Sequence, residues 1–409
     1  MATAPTVEAE NAQTELAERW PLRILVPYLL AAIALAMAYG SSFLLADALP
    51  AAGLAPSSAG TVVGAGVIAT LVGAAFAGRW AERMGILPLI AGSCVLMTAA
   101  MVCFALIPQA GMPIAVIGGL LLGIGWAIFY MMAPIQVVQS LRPSARLEAL
   151  TLLSGSQMLG MGFSAPLGHW LSRHSGGMTV VFAIYAAACV LAGGLVLLTR
   201  QRLARYPQLA LKAVALSLPA IVTVLKARTV LPVLLMGIAA CTFTGLSTFQ
   251  SLYGQSRGLS PDLFFITFTV TTVVLRFTIA PWIGRLPLGR LAMGLFMLTL
   301  CSIALLIINR SSAALYIAAT VLFAAGYGLT YATLNAMVVN LAEAIHISVP
   351  VASQVFTLGY FTGAFGFPYV AGTLIAHSGI NLALFIMLAL VVLNLGIAAT
   401  APGFRQLRR

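Results

Sequence analysis

Charge is what this chain has least of. Asp, Glu, Lys and Arg make up 7% of its 409 residues, against about 25% in an ordinary soluble domain, which excludes water as the main solvent. Cysteine is also sparse. Cys94, Cys103, Cys189, Cys241 and Cys301 all fall in apolar stretches, with no C-x-x-C and no Cys/His grouping. They read as small core residues, which excludes a disulfide framework and a metal site. No G-x-x-x-x-G-K-[ST] is present, so a nucleotide-driven pump is excluded. Nor is there a nucleophile and base arrangement of the kind an enzyme needs, and no cofactor is expected. The first twenty residues hold Glu8, Glu10, Glu15 and Glu18 and no apolar core. They predict a short solvated tail and not a signal peptide.

What the chain does have is apolar length. Hydrophobic residues make up 61% of it, and the mean hydropathy is +1.05. A membrane-spanning helix needs about 20 mostly apolar residues, and twelve stretches qualify. They are 24–47, 58–79, 85–107, 113–138, 149–171 and 178–199, then 229–252, 262–284, 288–309, 313–340, 348–376 and 380–401. The second six echo the first. Pro27, Gly40 and Ser42 recur as Pro232, Gly245 and Ser247, each shifted by 205 positions. Gly125, Trp126, Tyr130, Val137, Val138 and Gln139 correspond to Gly326, Tyr327, Tyr331, Val338, Val339 and Asn340, each shifted by 201. Two similar halves of six spans are the construction of a transporter that rocks about a central site.

The domain plan follows: a tail over 1–20, a first bundle over 21–199, a linker over 200–228, a second bundle over 229–402 and a basic tail over 403–409. The linker holds Arg200, Arg202, Arg205, Lys212, Lys226 and Arg228 and no acid. Its apolar piece, 213–225, has 13 residues. That is too short to span, and a helix lying in the membrane surface is expected, with an extra span as the alternative. The inside rule sets the orientation. With the N-terminus inside, the inner face collects Arg19, Arg23, Arg79, Arg83, Arg142, Arg146, the linker cations, Arg285, Arg290, Arg405, Arg408 and Arg409. The outer face receives Arg173, Arg257 and Arg310. Both termini are therefore expected in the cytoplasm, with the protein in the inner or plasma membrane. The net charge of +12 then meets lipid phosphates along one membrane face and not a nucleic acid.

Gly78-Arg79-Trp80-Ala81-Glu82-Arg83-Met84-Gly85 lies between the second and third stretches. It resembles the loop signature of the major facilitator superfamily, G-x-L-x-D-R-x-G-R-[RK]. Gly78, Arg83 and Gly85 match and Glu82 stands for the acid. Trp80 replaces the leucine, and Ile86 and Leu87 replace the closing basic pair. The resemblance covers roughly 20–402. It implies an all-α integral membrane protein of 12 transmembrane helices in two pseudo-symmetric six-helix bundles, a monomer that moves a small molecule by alternating access. In the family this loop latches the halves in the outward-open state, so the missing basic pair implies a weaker latch. The alternative is an ordinary charged turn. Gly162 to Gly168 around Pro166, and Gly363, Pro368 and Gly372, are similar to the family's glycine–proline signature, with wrong spacing in the first. Both are expected to be bends at a gating surface.

Arg276 is the sharpest site candidate, because it sits inside a span eight residues before Gly284, about 12 Å of helix rise. Thr269 and Thr272 share its helical stripe. Buried guanidinium groups are paired or face a wet cavity. No acid lies deep in a span, so an anionic substrate held by a two-pronged contact is expected. Arginines on this eighth helix serve several anion carriers of the family. Alternatively, Arg276 snorkels to the inner surface or pairs with Glu148 or Glu343. The helices that line the cavity in this family add Tyr39, Ser42, Tyr130, Gln136, Gln139, Thr244, Ser247, Gln250, Tyr327, Tyr331 and Asn335, with Gln157 and Gln354 from the fifth and eleventh. Any one of them could instead bond a neighbouring helix. Tyr130 and Tyr331 form the best pair, since they occupy equivalent places in the two halves.

Asp47 is the one candidate for a coupling carboxylate from the outer half and lies too shallow for an expected proton site; a coupling proton, exchange for a counter-anion and uniport all stay open. His169, His174, His346 and His377 lie near span ends, where a solvated role is expected. The substrate predicted is a small organic anion or zwitterion. Efflux of amphipathic compounds is the alternative within transport, and a transporter-like sensor or assembly factor the alternative outside it.

Overall fold

Lipid offers backbone groups no hydrogen bonds, so an apolar chain of this length has to satisfy them within helices. In the computed structural model, which describes residues 19–207, 216–278 and 287–400, the chain does so throughout. Thirteen helices of eight residues or more follow one another among the described residues. They are α1 (Leu22–Gly40), α2 (Ala59–Met84), α3 (Ile86–Ala105), α4 (Ile107–Ser140), α5 (Pro143–Ser175), α6 (Met178–Leu203) and α7 (Leu218–Lys226). Then come α8 (Val230–Thr248), α9 (Gln250–Arg257), α10 (Asp262–Thr278), α11 (Leu288–Ile308), α12 (Ala313–Ala344) and α13 (Val349–Thr400). Tight helical turns from Ser41 to Ala52 continue α1.

Over the described residues every expected stretch falls on helix, but the helices are not cut where twelve equal spans would cut them. Nine stretches among the described residues are long and apolar enough to cross a membrane. α13 counts once, although it runs through two expected stretches. Gly379 divides it with φ 76°, ψ 173°, a conformation in which a side chain would clash. α5 is diluted by Arg146, Glu148, His169 and Arg173, and the described part of α10 has 17 residues. α9 is split from α8 at Phe249. The linker holds α7, nine residues with the Ser217 hydroxyl accepting from the Ala220 N–H at 3.3 Å. At about 13 Å it does not span. The expected positions of Lys212, Arg285, Arg405, Arg408 and Arg409, and of the acidic tail, lie outside the described residues.

Packing follows the sequence halves. α1 lies against α5 and α6, α2 against α4, and α3 against α4 and α6. Beyond the linker, α8 lies against α12 and α13, α10 against α12, and α11 against α12 and α13. Two seams join the halves, α2 with α13 and α5 with α10. Both depend on glycine. A Cβ on Gly60 of α2 would strike the Pro368 carbonyl of α13, and one on Gly162 of α5 would strike the Thr269 side chain of α10. Gly372 meets the Ser57 carbonyl in the same way. Small residues let membrane helices approach this closely. Both glycine–proline signatures of the sequence thus lie on the seams.

Gly60→Val would test the first seam. Its obstacle is a backbone oxygen that no rotamer change removes, so overpacking of about 1–3 kcal/mol falls on the form in which the halves touch here. In a background with the five native cysteines replaced, a cysteine at Ser57 should react roughly tenfold or more faster with an impermeant maleimide. Unchanged labelling would mean that the seam yields elsewhere.

Candidate functional site

The centre of the molecule is aromatic, and it is built from both halves. Tyr39 of α1 stacks on Trp126 of α4 with centroids 4.4 Å apart and planes 12° from parallel. Trp126 touches Tyr130, one turn on, at 5.5 Å. Tyr130 then meets three rings of the second half: Tyr331 edge-on at 6.1 Å, Tyr360 stacked at 5.9 Å and Phe361 at 5.7 Å. Tyr331 and Tyr360 close the triangle at 5.5 Å, and the Tyr331 hydroxyl lies 3.3 Å from Thr357 Oγ1. The two tyrosines at equivalent places in the sequence halves are therefore in contact. Tyr327, on the same helix stripe as Tyr331, turns instead to Phe243 of its own half at 4.4 Å.

Arg276 stands beside this cluster, near enough to Tyr130 for its charge to act on the phenol. Its Nη1 donates to Ser154 Oγ of α5 across the seam. Among the described residues no carboxylate pairs with it. The alternative partner Glu148 is held by Arg19 at 3.2 Å, on the surface, and Glu343 is exposed. An arginine in an apolar helix without a countercharge is costly. Among the buried polar atoms that lack a hydrogen-bond partner are Gln157 Nε2, three residues from Ser154, and Thr272 Oγ1, four residues before Arg276, together with Asn335 Oδ1, Gln354 Oε1 and Trp126 Nε1. Buried polar atoms are nearly always satisfied, so these five are candidates to meet a polar ligand.

Two sequence candidates lie apart from this centre. Gln136 donates to Ser140 Oγ at 2.9 Å and accepts from Gln139 at 3.0 Å. It lines a cavity of about 390 Å³ with Glu82, Gly85 and Arg200, against the signature loop. Within that loop Gly85 has φ 85°, Arg83 is exposed and Gly78 precedes the last turn of α2. Gln250, on α9, accepts from the Tyr316 hydroxyl at 2.7 Å, near the end that carries Asp47.

Asp47 is where sequence reasoning falls short. Its Oδ2 accepts from Ser251 Oγ of α9 at 2.5 Å and lies 3.2 Å from His169 Nε2 of α5. The other nitrogen, His169 Nδ1, lies 2.5 Å from Asp262 Oδ1 of α10. Arg173 approaches Asp262 Oδ2 at 3.9 Å. The histidine side chain is 11% exposed, which corrects the solvated role expected for it. Asp262 carried no expectation. One signal was available: four of nine acids lie in the first twenty residues, and two of the five that remain meet at this one histidine.

An all-helical, multi-pass membrane protein with a two-sided polar and aromatic centre is the class this architecture defines. The model of the Major Facilitator Superfamily matches residues 28–363, and the chain belongs to that family; it is a transporter and not an enzyme. Among solved structures it is similar to a D-xylose–proton symporter, with a TM-score of 0.70, 14% identity, and 93% of this chain and 97% of that one covered. It is also similar to an auto-inhibited POT family peptide transporter, with a TM-score of 0.67, 14% identity, and coverage of 94% and 97%. No curated protein sequence matches. At such identities the likeness is one of fold.

Tyr130→Ala should destabilise the protein by about 3–5 kcal/mol, since it removes a large ring from contact with both halves. Tyr130→Phe, which keeps the ring, should stay within about 1 kcal/mol of the parent. Thermal unfolding in detergent, read by intrinsic fluorescence, separates the two. Equal loss in both variants would mean that the hydroxyl and not the ring matters.

Proposed function

We propose that this transporter moves a small organic anion or zwitterion by alternating access, with Arg276 as the charge anchor. The observation that carries this reading is a seam-side guanidinium with no described carboxylate partner, beside the repeat-related pair Tyr130 and Tyr331. A substrate carboxylate or phosphate would supply the missing countercharge through a planar two-pronged contact. Asn335, Gln157 and Gln354 would complete its hydrogen bonds, and Tyr39 would shape the aromatic wall. In this reading the chain crosses the membrane twelve times, in two six-helix bundles that rock about the centre. The Asp47 end faces outward, and the signature loop with Gly78, Glu82, Arg83 and Gly85 faces the cytoplasm with both termini. α7 lies along the cytoplasmic surface.

The aromatic wall favours a second reading, efflux of amphipathic compounds, in which Arg276 is structural. Counterflow in proteoliposomes with labelled organic anions, for the parent and Arg276→Gln, separates the two. Loss of one charge-assisted contact is worth about 1.5–3 kcal/mol, so the variant should show a KM raised roughly 10- to 100-fold. Lipophilic dye transport that is equal in both proteins, with anions ignored, would sink the anion reading.

A further inference from the structure

His169 is held between two carboxylates that belong to different halves, and the geometry counts protons. Nδ1 faces Asp262 Oδ1 at 2.5 Å and Nε2 faces Asp47 Oδ2 at 3.2 Å. A neutral imidazole has one N–H. With both acids ionised, its second nitrogen would present a lone pair to a carboxylate lone pair, which is repulsive. Both contacts are attractive only when the trio holds one more proton, as an imidazolium between two carboxylates or as a neutral imidazole with one carboxylic acid. The imidazolium form carries one net negative charge, which Arg173, 3.9 Å from Asp262, offsets.

On α12, Tyr316 feels the charge of Asp262 and gives its hydroxyl to Gln250 Oε1 at 2.7 Å, while Arg310 and His377 are exposed. Ser251 gives Asp47 a neutral donor. His174 turns back to the Trp170 carbonyl, and Arg257 is taken by Asn381 Oδ1 at 2.6 Å and by the Tyr253 ring. α4 and α6 present no ionised side chain at this end.

Asp47 and His169 belong to the first half, Ser251 and Asp262 to the second. Parting the halves at this end breaks His169–Asp262, Ser251–Asp47 and Arg173–Asp262 together, and leaves a histidine with a single acid. We infer that Asp47, His169 and Asp262 form a proton-binding site that exists only while the two halves are closed here, so that closing this end takes up one proton. The proton comes from the aqueous phase on that side and returns to it on opening. This rests on the alternating-access part of the proposed function and not on the anion reading.

Linkage sets the sign. The closed form binds the extra proton, so acid favours closure. Between the pH at which the open form's histidine, with Asp47 alone beside it, loses its proton and the higher pH at which the closed trio loses its own, the closed-to-open ratio should fall up to tenfold per pH unit.

The test is the distance between labels at Ala55→Cys and Gln255→Cys in the full chain lacking native cysteines, in nanodiscs, from pH 5 to pH 9 without substrate. The parent should shift toward the long distance as pH rises. His169→Gln and Asp262→Asn should each abolish that shift, and the two check one another should either fail to elute as a monodisperse peak. A shift retained in both variants would overturn the proton site and leave rocking intact. One fixed distance in the parent at every pH would overturn both.

Discussion

The contact that the rest of this molecule depends on is the seam between α5 and α10. It has three rungs. His169 meets Asp262, Gly162 meets Thr269, and Ser154 meets Arg276. Successive rungs are seven or eight residues apart on each helix, two turns at a time, so one stripe of each helix makes the whole seam. A charge bridge closes one end, a glycine lets the helices touch in the middle, and the candidate substrate arginine lies at the third rung. The proposed site and the proposed gate are therefore not separate parts connected by a pathway. They are positions on the same pair of helices.

The second seam has the same material logic with different residues. Gly60 and Gly372 let α2 and α13 meet backbone to backbone, against Pro368 and Ser57 carbonyls. Between the seams the tyrosine cluster joins α1 and α4 to α12 and α13. In lipid, apolar surface gains nothing from burial against another helix, so association rests on close packing and on a few polar contacts. The Asp47 end carries the charge bridge and the Gly372–Ser57 contact. The signature loop lies at the opposite end, where Ile86 and Leu87 follow Gly85.

Much of this was legible in the sequence, for definite reasons. Helix positions follow from apolar length, and the half-to-half echo singles out Tyr130 and Tyr331, whose rings are in contact. Arg276 stands out because charge is so rare inside a span. The helix count was less legible. Gly379 and Phe249 reshape boundaries without interrupting the apolar pattern. Gln136 and Tyr130 look alike as polar candidates in the sequence, but six residues along one helix set Gln136 against the signature loop and Tyr130 in the ring cluster. His169 and Asp262 were not legible together at all. They are 93 positions apart in different halves, and no local pattern ties a histidine near one helix end to the first acid of another.

The spacing of the rungs also fixes a lever arm. Arg276 and Asp262 are fourteen residues apart on α10, about 21 Å along the axis. A tilt of α10 by about 10° about the Arg276 rung would carry Asp262 about 3.6 Å sideways over that length. That displacement exceeds the 2.5 Å separating Asp262 from His169. Small angular play at the centre is thus magnified into a complete break at the rim, while Arg276 itself hardly moves.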